Sequence, residues 1–212
     1  MTHLTRGMIQ WVAVAASLAV SPFAVAALAV IDFEDISSPV FDNIEYFYGP
    51  SVDSGGYHFA SVNHASGIDV LGSWKPAAGA RYTGSVALWP NYVGDQIRMT
   101  KVGGGVFSVS ALDLADVLLN NDDRTVTIVG THPDSTTVTD TFDFTDSTRL
   151  VTYTLTGMTN LSSMTVYAGD FPFQMDNIRV LAVPEADKYA MLGIGIGVIG
   201  VRLQRRKPIG WA

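Results

Sequence analysis

The chain has 212 residues, of which 20 are acidic and 13 basic, for a net charge of −7, with no cysteine and 48% hydrophobic residues. At roughly 100 to 200 residues per domain, this length holds one domain plus targeting segments. Missing cysteines exclude thiolate catalysis, Cys-ligated zinc and disulfide stapling. The stretch 30–183 carries eighteen acids against seven Lys and Arg, which excludes nucleic acid as a partner because phosphate neutralisation needs a basic face. Its Val, Ile, Leu and aromatic content separates it from a disordered acidic tail.

In chain order, Arg6 precedes an apolar run, 11–20, then Ser21-Pro22 and the small-residue runs Ala24-Val25-Ala26 and Ala27-Leu28-Ala29. This is the grammar of a secretory signal peptide over 1–29, with cleavage after Ala26 or Ala29. An uncleaved anchor is the alternative, since the apolar run extends to Ile31.

The middle, 30–182, reads as an all-β domain. Short runs rich in Val, Ile, Thr, Phe and Tyr are separated by Gly, Asn, Asp and Pro clusters, as in antiparallel strands. Strands are expected near 30–35, 56–61, 85–89, 96–102, 106–112, 124–130, 136–144, 150–156, 162–167 and 173–181, enough for an antiparallel β-sandwich. Val126, Ile128 and Gly130 alternate with Thr125, Thr127 and Val129, and Val151, Tyr153 and Leu155 with Thr152, Thr154 and Thr156, giving each run one apolar face. Over 111–120 the leucines also fit helical spacing, so a helix competes there with a bent strand. Gly103-Gly104-Gly105 predicts a hairpin turn with positive φ, and Asn120-Asn121-Asp122-Asp123 a turn.

The loop-rich first half carries Tyr46, Phe47, Tyr48, Tyr57, Trp74, Tyr82, Trp89 and Tyr92. Ring faces stack on sugars while Asp and Asn bond hydroxyls, so Trp74, Tyr82 and Trp89 are candidate ligand-binding residues. The competing expectation is that these rings build the core. Trp74 is favoured as a ligand contact because Gly72-Ser73-Trp74-Lys75-Pro76 reads as an irregular loop. No catalytic residue is singled out: His58, His64 and His132 lack metalloprotease spacing and there is no Gly-x-Ser-x-Gly. A glycoside-active enzyme with two carboxylates remains the alternative, since such a pair is defined only in space. Asn160-Leu161-Ser162 is a glycosylation sequon.

The C-terminus runs Val183-Pro184-Glu185-Ala186-Asp187-Lys188, then thirteen uncharged residues from Tyr189 to Val201, then Arg202, Arg205, Arg206 and Lys207. The uncharged run falls short of the ~20 residues that cross a bilayer core, and a spanning helix of about 187–203 needs its flanks to snorkel. Gly193 and Gly197 form a Gly-x-x-x-Gly pair, which either faces another helix or reflects a weak, Gly-rich anchor. Basic residues outside both apolar segments place both ends in the cytoplasm and the middle across the membrane.

Val-Pro-Glu, a short apolar helix and an Arg-rich end together resemble the PEP-CTERM sorting signal, carried by exported proteins of Gram-negative bacteria that make an extracellular polymer matrix. The resemblance implies that 183–212 is processed near Pro184 by exosortase, a membrane-embedded cysteine transpeptidase. Ala186 departs from the pattern, standing where the family has its second Pro, and Ile209 to Ala212 extend beyond the basic cluster.

The middle is similar to the jelly-roll domains that precede such signals, and in outline to carbohydrate-binding and galactose-binding-like sandwiches. The likeness is carried by Asp32-Phe33-Glu34-Asp35, Val106-Phe107-Ser108-Val109, Leu161-Ser162-Ser163-Met164 and Asp176-Asn177-Ile178-Arg179-Val180. It implies that first and last strands lie together, with a structural Ca²⁺ held there by Glu34, Asp35 and Asp176, helped by Asp32 and the Asn177 region. Ordinary solvent-facing charges are the other reading, because no contiguous calcium loop is present and no cofactor is required. The whole describes a non-catalytic exported protein of the cell surface or extracellular matrix. Its expected partners are exosortase, the membrane through the C-terminal helix, and extracellular polysaccharide; a permanently anchored surface domain is the alternative.

Overall fold

The computed structural model describes residues 28–36, 44–62, 70–91, 94–117, 124–144, 149–169 and 173–181. Val183, Pro184, Glu185, Arg202, Arg205, Arg206, Lys207 and Ala26 lie outside these residues, as does the 120–123 turn. Among the described residues no helix is long and apolar enough to cross a membrane.

The described chain is all-β. Its strands are β1 (Leu28–Ile31), β2 (Glu45–Gly49), β3 (Ser51–Ser54), β4 (Tyr57–Val62), β5 (Leu71–Trp74), β6 (Trp89–Pro90), β7 (Gln96–Lys101), β8 (Ser108–Asp116), β9 (Arg124–Thr131), β10 (Thr137–Phe144), β11 (Val151–Thr154), β12 (Ser163–Tyr167) and β13 (Phe173–Leu181), with a 3-10 helix at Pro76–Arg81. They form a four-stranded sheet, β1-β13-β8-β11, a six-stranded sheet, β10-β9-β12-β7-β4-β3, and a three-stranded sheet, β2-β5-β6. All the pairings are antiparallel.

Period-two patterning explains why the two larger sheets face each other. From the six-stranded sheet Phe59, Ile97, Met99, Val126, Ile128, Met164 and Val166 point inward, and from the four-stranded sheet Val109, Leu112, Leu114, Phe173, Met175, Ile178 and Val180; all belong to one buried cluster. Two sheets sharing one core make a β-sandwich. Gly130 faces this core because nothing larger fits: a Cβ there would meet Leu161 Cδ2 at 2.7 Å, Met158 Sδ at 2.8 Å and Val138 Cγ1 at 2.9 Å.

The expected strands at 96–102, 124–130, 136–144, 162–167 and 173–181 match β7, β9, β10, β12 and β13 closely. Of the two readings of 111–120, the strand holds over 111–116, because Leu112 and Leu114 both reach the core at 0% exposure while Asp113 faces the other side, pairing with Asp176. Other expectations differ: the strand expected at 30–35 is β1, which ends at Ile31, and that expected at 85–89 is only the short β6. Gly103, Gly104 and Gly105 do take φ of 79°, 84° and 91°, yet they carry the chain between sheets instead of closing a hairpin. Trp74 sits on β5 and not in a loop.

β1 lies against β13, pairing Leu28 with Leu181, Ala29 with Val180, Val30 with Arg179 and Ile31 with Ile178. First and last described strands are therefore neighbours. A bulge interrupts β13 after Asp176, where Asn177 takes φ of 47°.

Candidate functional site

Sheet alternation gives β8 and β13 a second, outward face, bearing Asp113, Gln174, Asp176 and Arg179. Polar residues on such a face ordinarily meet water. Here the 81–90 segment runs alongside β13, where Leu88 and Met175 exchange backbone hydrogen bonds of 2.9 Å, and Arg81 and Ser85 meet Gln174 and Asp176. Gln174 and Asp176 are consequently 0% exposed and Asp113 8%.

The covered face is held by hydrogen bonds. The Gln174 amide nitrogen donates to the carbonyls of Arg81 and Asp116, each at 3.0 Å, so it ties the 3-10 helix to β8. Ser85 Oγ donates to Asp176 Oδ2 at 2.5 Å, and the Asn177 backbone N–H donates to Asp176 Oδ1 at 2.7 Å. The Asn177 side-chain amide bridges two carboxylates, reaching Asp113 at 3.0 Å and Asp176 at 3.4 Å. Thr152 Oγ1 adds a 2.6 Å bond to Asp113, and Arg179 approaches it at 3.6 Å. Burial pushes the Asp176 carboxyl up to about 6, with the neighbouring charges of Asp113 and Asp32 adding to the rise against the two hydrogen bonds that lower it.

Of the three expected calcium ligands, two reach one segment and the third does not. Glu34 accepts the Val86 backbone N–H at 2.9 Å, and Asp176 accepts the Ser85 hydroxyl, so these two expected ligands do reach one segment. Asp35 turns away to the β3-β4 turn, accepting Ser54 Oγ at 2.5 Å and the Gly55 N–H at 3.0 Å; these bonds hold its carboxyl below the usual value. Calcium needs six to eight oxygens; here Glu34, Asp176 and Asp113 each accept at least one N–H or O–H bond. Among the described residues no group of three or more His, Cys, Asp or Glu side chains gathers to hold a metal.

The expected ligand-binding rings come together on the three-stranded sheet. Trp74 and Trp89 stack at 5.0 Å with 13° between planes, joined by Val117 and flanked by Phe47, Ala78 and Tyr82. The Arg81 guanidinium lies 5.0 Å over the Trp74 ring, and the edge of Phe47 meets Trp89 at 6.0 Å. Trp74 and Trp89 are only 7% and 4% exposed, so these indoles form a second, smaller core and support the sheet surface from below. Both indole Nε1 atoms and Gln174 Oε1 are buried without a protein hydrogen-bond partner. Beside this core, Phe47, Gly49, Val70 and Asn91 line an open groove of about 340 Å³. Phe47 and Asn91 are therefore the residues that present a ring and an amide at this sheet. Sequence reading included Phe47 among the aromatics but gave no reason to pick it, and Asn91 carried no signal.

The stack depends on Gly72. Its position pairs with Trp89 across β5 and β6, and a Cβ there would stand 2.6 Å from Trp89 Cζ2 and 3.0 Å from the Tyr46 carbonyl oxygen. Gly72→Ala is expected to cost about 1–3 kcal/mol through overpacking, and to unstack the indoles. A thermal melt together with near-ultraviolet circular dichroism checks this; an unshifted midpoint with an intact aromatic signal would contradict it.

A second open site of about 390 Å³ is lined by His132, Pro133, Asp134, Thr136 and Asn160 at the β9-β10 hairpin. Asn160, the sequon asparagine, is exposed there with φ of 53°, and its carbonyl lies 3.2 Å from His132 Nδ1.

No family model matches the chain, and no curated protein does. Among solved structures, it is similar to a DUF4465 family protein from Bacteroides ovatus, at 10% identity and a TM-score of 0.40, over 73% of this chain and 98% of that one. An arabinose-bound α-L-arabinofuranosidase is similar at 6% identity and a TM-score of 0.39, over 72% of this chain and 26% of that one. The enzymatically active domain of tailspike protein 4 of bacteriophage CBA120 follows at 11% identity and a TM-score of 0.28, over 72% and 20%. Likeness at this level carries no functional information.

Proposed function

We propose that this chain is an exported, non-catalytic protein of the cell surface or extracellular matrix, sorted through its C-terminal segment by exosortase. One observation carries the reading: β1 and β13 are antiparallel neighbours, with Leu28 opposite Leu181. The chain thus enters and leaves the sandwich at the same end of one strand pair. Both flanking segments read as membrane-directed with cytoplasmic basic ends. Neighbouring entry and exit suit a cargo whose two flanks both engage the membrane during export. The repeated passage of the chain between sheets from β7 to β13 further supports a jelly-roll-like topology.

The test is the mass of the termini after expression of the full chain with and without exosortase. Loss of the tail near Pro184 in the exosortase host alone is the expected result. A tail kept in both hosts would overturn the sorting reading and leave a permanently anchored surface domain.

Polysaccharide is the ligand class we assign to the groove on the three-stranded sheet. Phe47 offers a ring against which the apolar face of a sugar packs, and the Asn91 amide offers a donor and an acceptor for hydroxyls. Retention of the secreted domain on matrix polysaccharide is expected to fall about tenfold with Asn91→Ala, the loss of roughly 1.4 kcal/mol. Phe47→Ala is expected to weaken it further. Undiminished retention by both variants, with folding verified by circular dichroism, would remove this assignment.

A further inference from the structure

We propose that the outer face of the six-stranded sheet binds an acidic polysaccharide, seating a sugar carboxylate on Arg98 and sugar hydroxyls on the threonines beside it. This face shares no residue with the groove lined by Phe47 and Asn91. The inference needs neither that assignment nor the sorting reading.

Strand register builds the face. With Phe59, Met99, Ile128 and Met164 turned to the core, the alternate positions of the same strands turn outward. One row crosses all six strands: Thr139 stands opposite Val129, Val129 opposite Thr165, Thr165 opposite Arg98, Arg98 opposite Ala60, and Ala60 opposite Ser51. The next row sets Thr141 opposite Thr127 and Thr127 opposite Tyr167. These side chains are all half-buried or exposed.

Arg98 is exposed near the middle of this face, and among the described residues no carboxylate pairs with it. The acids on the face stand at its two rims. Asp143 is exposed on the edge strand β10, and Asp53 on the opposite edge strand β3 is engaged by His58 Nδ1 at 2.6 Å. An unpaired cation among hydroxyls is therefore set apart from the acids that dominate 30–183.

That chemistry selects the occupant. An open sheet face takes an extended polymer, whereas a small molecule needs a concave site. Hydroxyl side chains both donate and accept, and strands repeat about every 4.8 Å, close to the length of a pyranose ring, so neighbouring strands meet neighbouring sugars. The Tyr167 ring offers a surface for the apolar face of one sugar. The Arg98 guanidinium is a fork matched to a planar carboxylate, and a single cation suits a polymer of sparse negative charge; a nucleic acid would need many. A protein partner would need large apolar anchors, and none of the exposed large hydrophobic side chains of the described residues stands on these six strands.

The full chain, purified in detergent and passed over immobilised polygalacturonate, tests this, with the fully methyl-esterified polymer as the uncharged control. Wild type should be held by the acid polymer and about tenfold less by its ester. Arg98→Gln is expected to lose about tenfold on the acid polymer alone, Arg98→Lys to lose less, and Thr165→Val to lose about threefold on both polymers. Both positions are on the surface, so the melting midpoints of these variants should stay at the wild-type value. Equal retention of wild type and Arg98→Gln, or equal retention on acid polymer and ester, would overturn the inference, as would a wild-type chain that neither polymer retains. A loss with Asn91→Ala and none with Arg98→Gln would also overturn it, while leaving the groove assignment intact.

Discussion

Phe33→Ala is expected to lower unfolding free energy by about 3–5 kcal/mol and the melting midpoint by on the order of 10 °C. Phe33 is 0% exposed and meets Phe59 edge-to-face at 4.9 Å and 71°. Its backbone has φ of 57°, a left-handed conformation that costs a non-glycine residue about 1–2 kcal/mol. The chain tolerates this because the turn it makes drives the ring into the sandwich while holding the flanking carboxylates outside it. Glu34 then reaches Val86 and Asp35 reaches the β3-β4 turn, so one buried ring organises two links between distant segments. Loss of the ring should therefore weaken both links as well as leave a cavity. Phe33→Leu, which keeps most of the apolar volume, should fall well short of the alanine effect. A loss below about 1 kcal/mol for the alanine variant would show that the ring does not anchor this turn.

The same motif shows what could be read from sequence and what could not. Asp32-Phe33-Glu34-Asp35 stood out as three carboxylates around an aromatic residue, and the carboxylates attracted the metal reading. Nothing local in the sequence states that φ turns positive at Phe33, which is what sends Asp35 toward Ser54 instead of toward Asp176. Strands with clean alternation, β9 and β12 above all, were legible because burial on one face imposes a period of two. β2, β3 and β5 were not: Glu45–Gly49 is half-buried throughout and Leu71–Trp74 buried throughout, so neither carries a period to detect. The Gly-rich step after β7 revealed its positive φ but not its partner, since pairing is set by core residues far along the chain. Trp74, Tyr82 and Trp89 were each legible as candidate ligand contacts, with core building as the competing expectation, and burial of the two indoles favours the latter. Their burial followed from Gly72, whose missing side chain lets Trp89 lie flat on β5, and from Arg81 above. The covered outer face of β8 and β13 had a misleading signature, because Phe173-Gln174-Met175-Asp176 alternates as a strand with one wet face would.

That covered face makes stability depend on pH in a direction opposite to most carboxylates. Asp176 has its carboxyl raised from 3.8 to about 6 by burial, and then by Asp113 and Asp32. The folded protein holds the proton more tightly than the unfolded chain, so the protonated form's contribution is fully present below about pH 4 and is lost as pH rises through 6. At about 1.4 kcal/mol per pH unit, the gap is worth at most about 3 kcal/mol, and the side chain is out of contact with solvent. Asp35 works the other way, its lowered carboxyl losing its contribution only as pH falls below the ordinary carboxylate value. The two therefore act in separate windows. Asp176→Asn removes the charge while keeping a carbonyl for the Asn177 N–H and an amide that the Ser85 hydroxyl can accept. Melting wild type and this variant from pH 4 to pH 8 isolates Asp176 together with its coupling to Asp113 and Asp32, because titrations elsewhere are common to both. The variant should match wild type near pH 4 and exceed it by about 1–3 kcal/mol at pH 7, with the difference opening between those values. A difference that stays constant across the range would mean Asp176 remains ionised in the fold, stabilised by Ser85 and Asn177 strongly enough to cancel its burial.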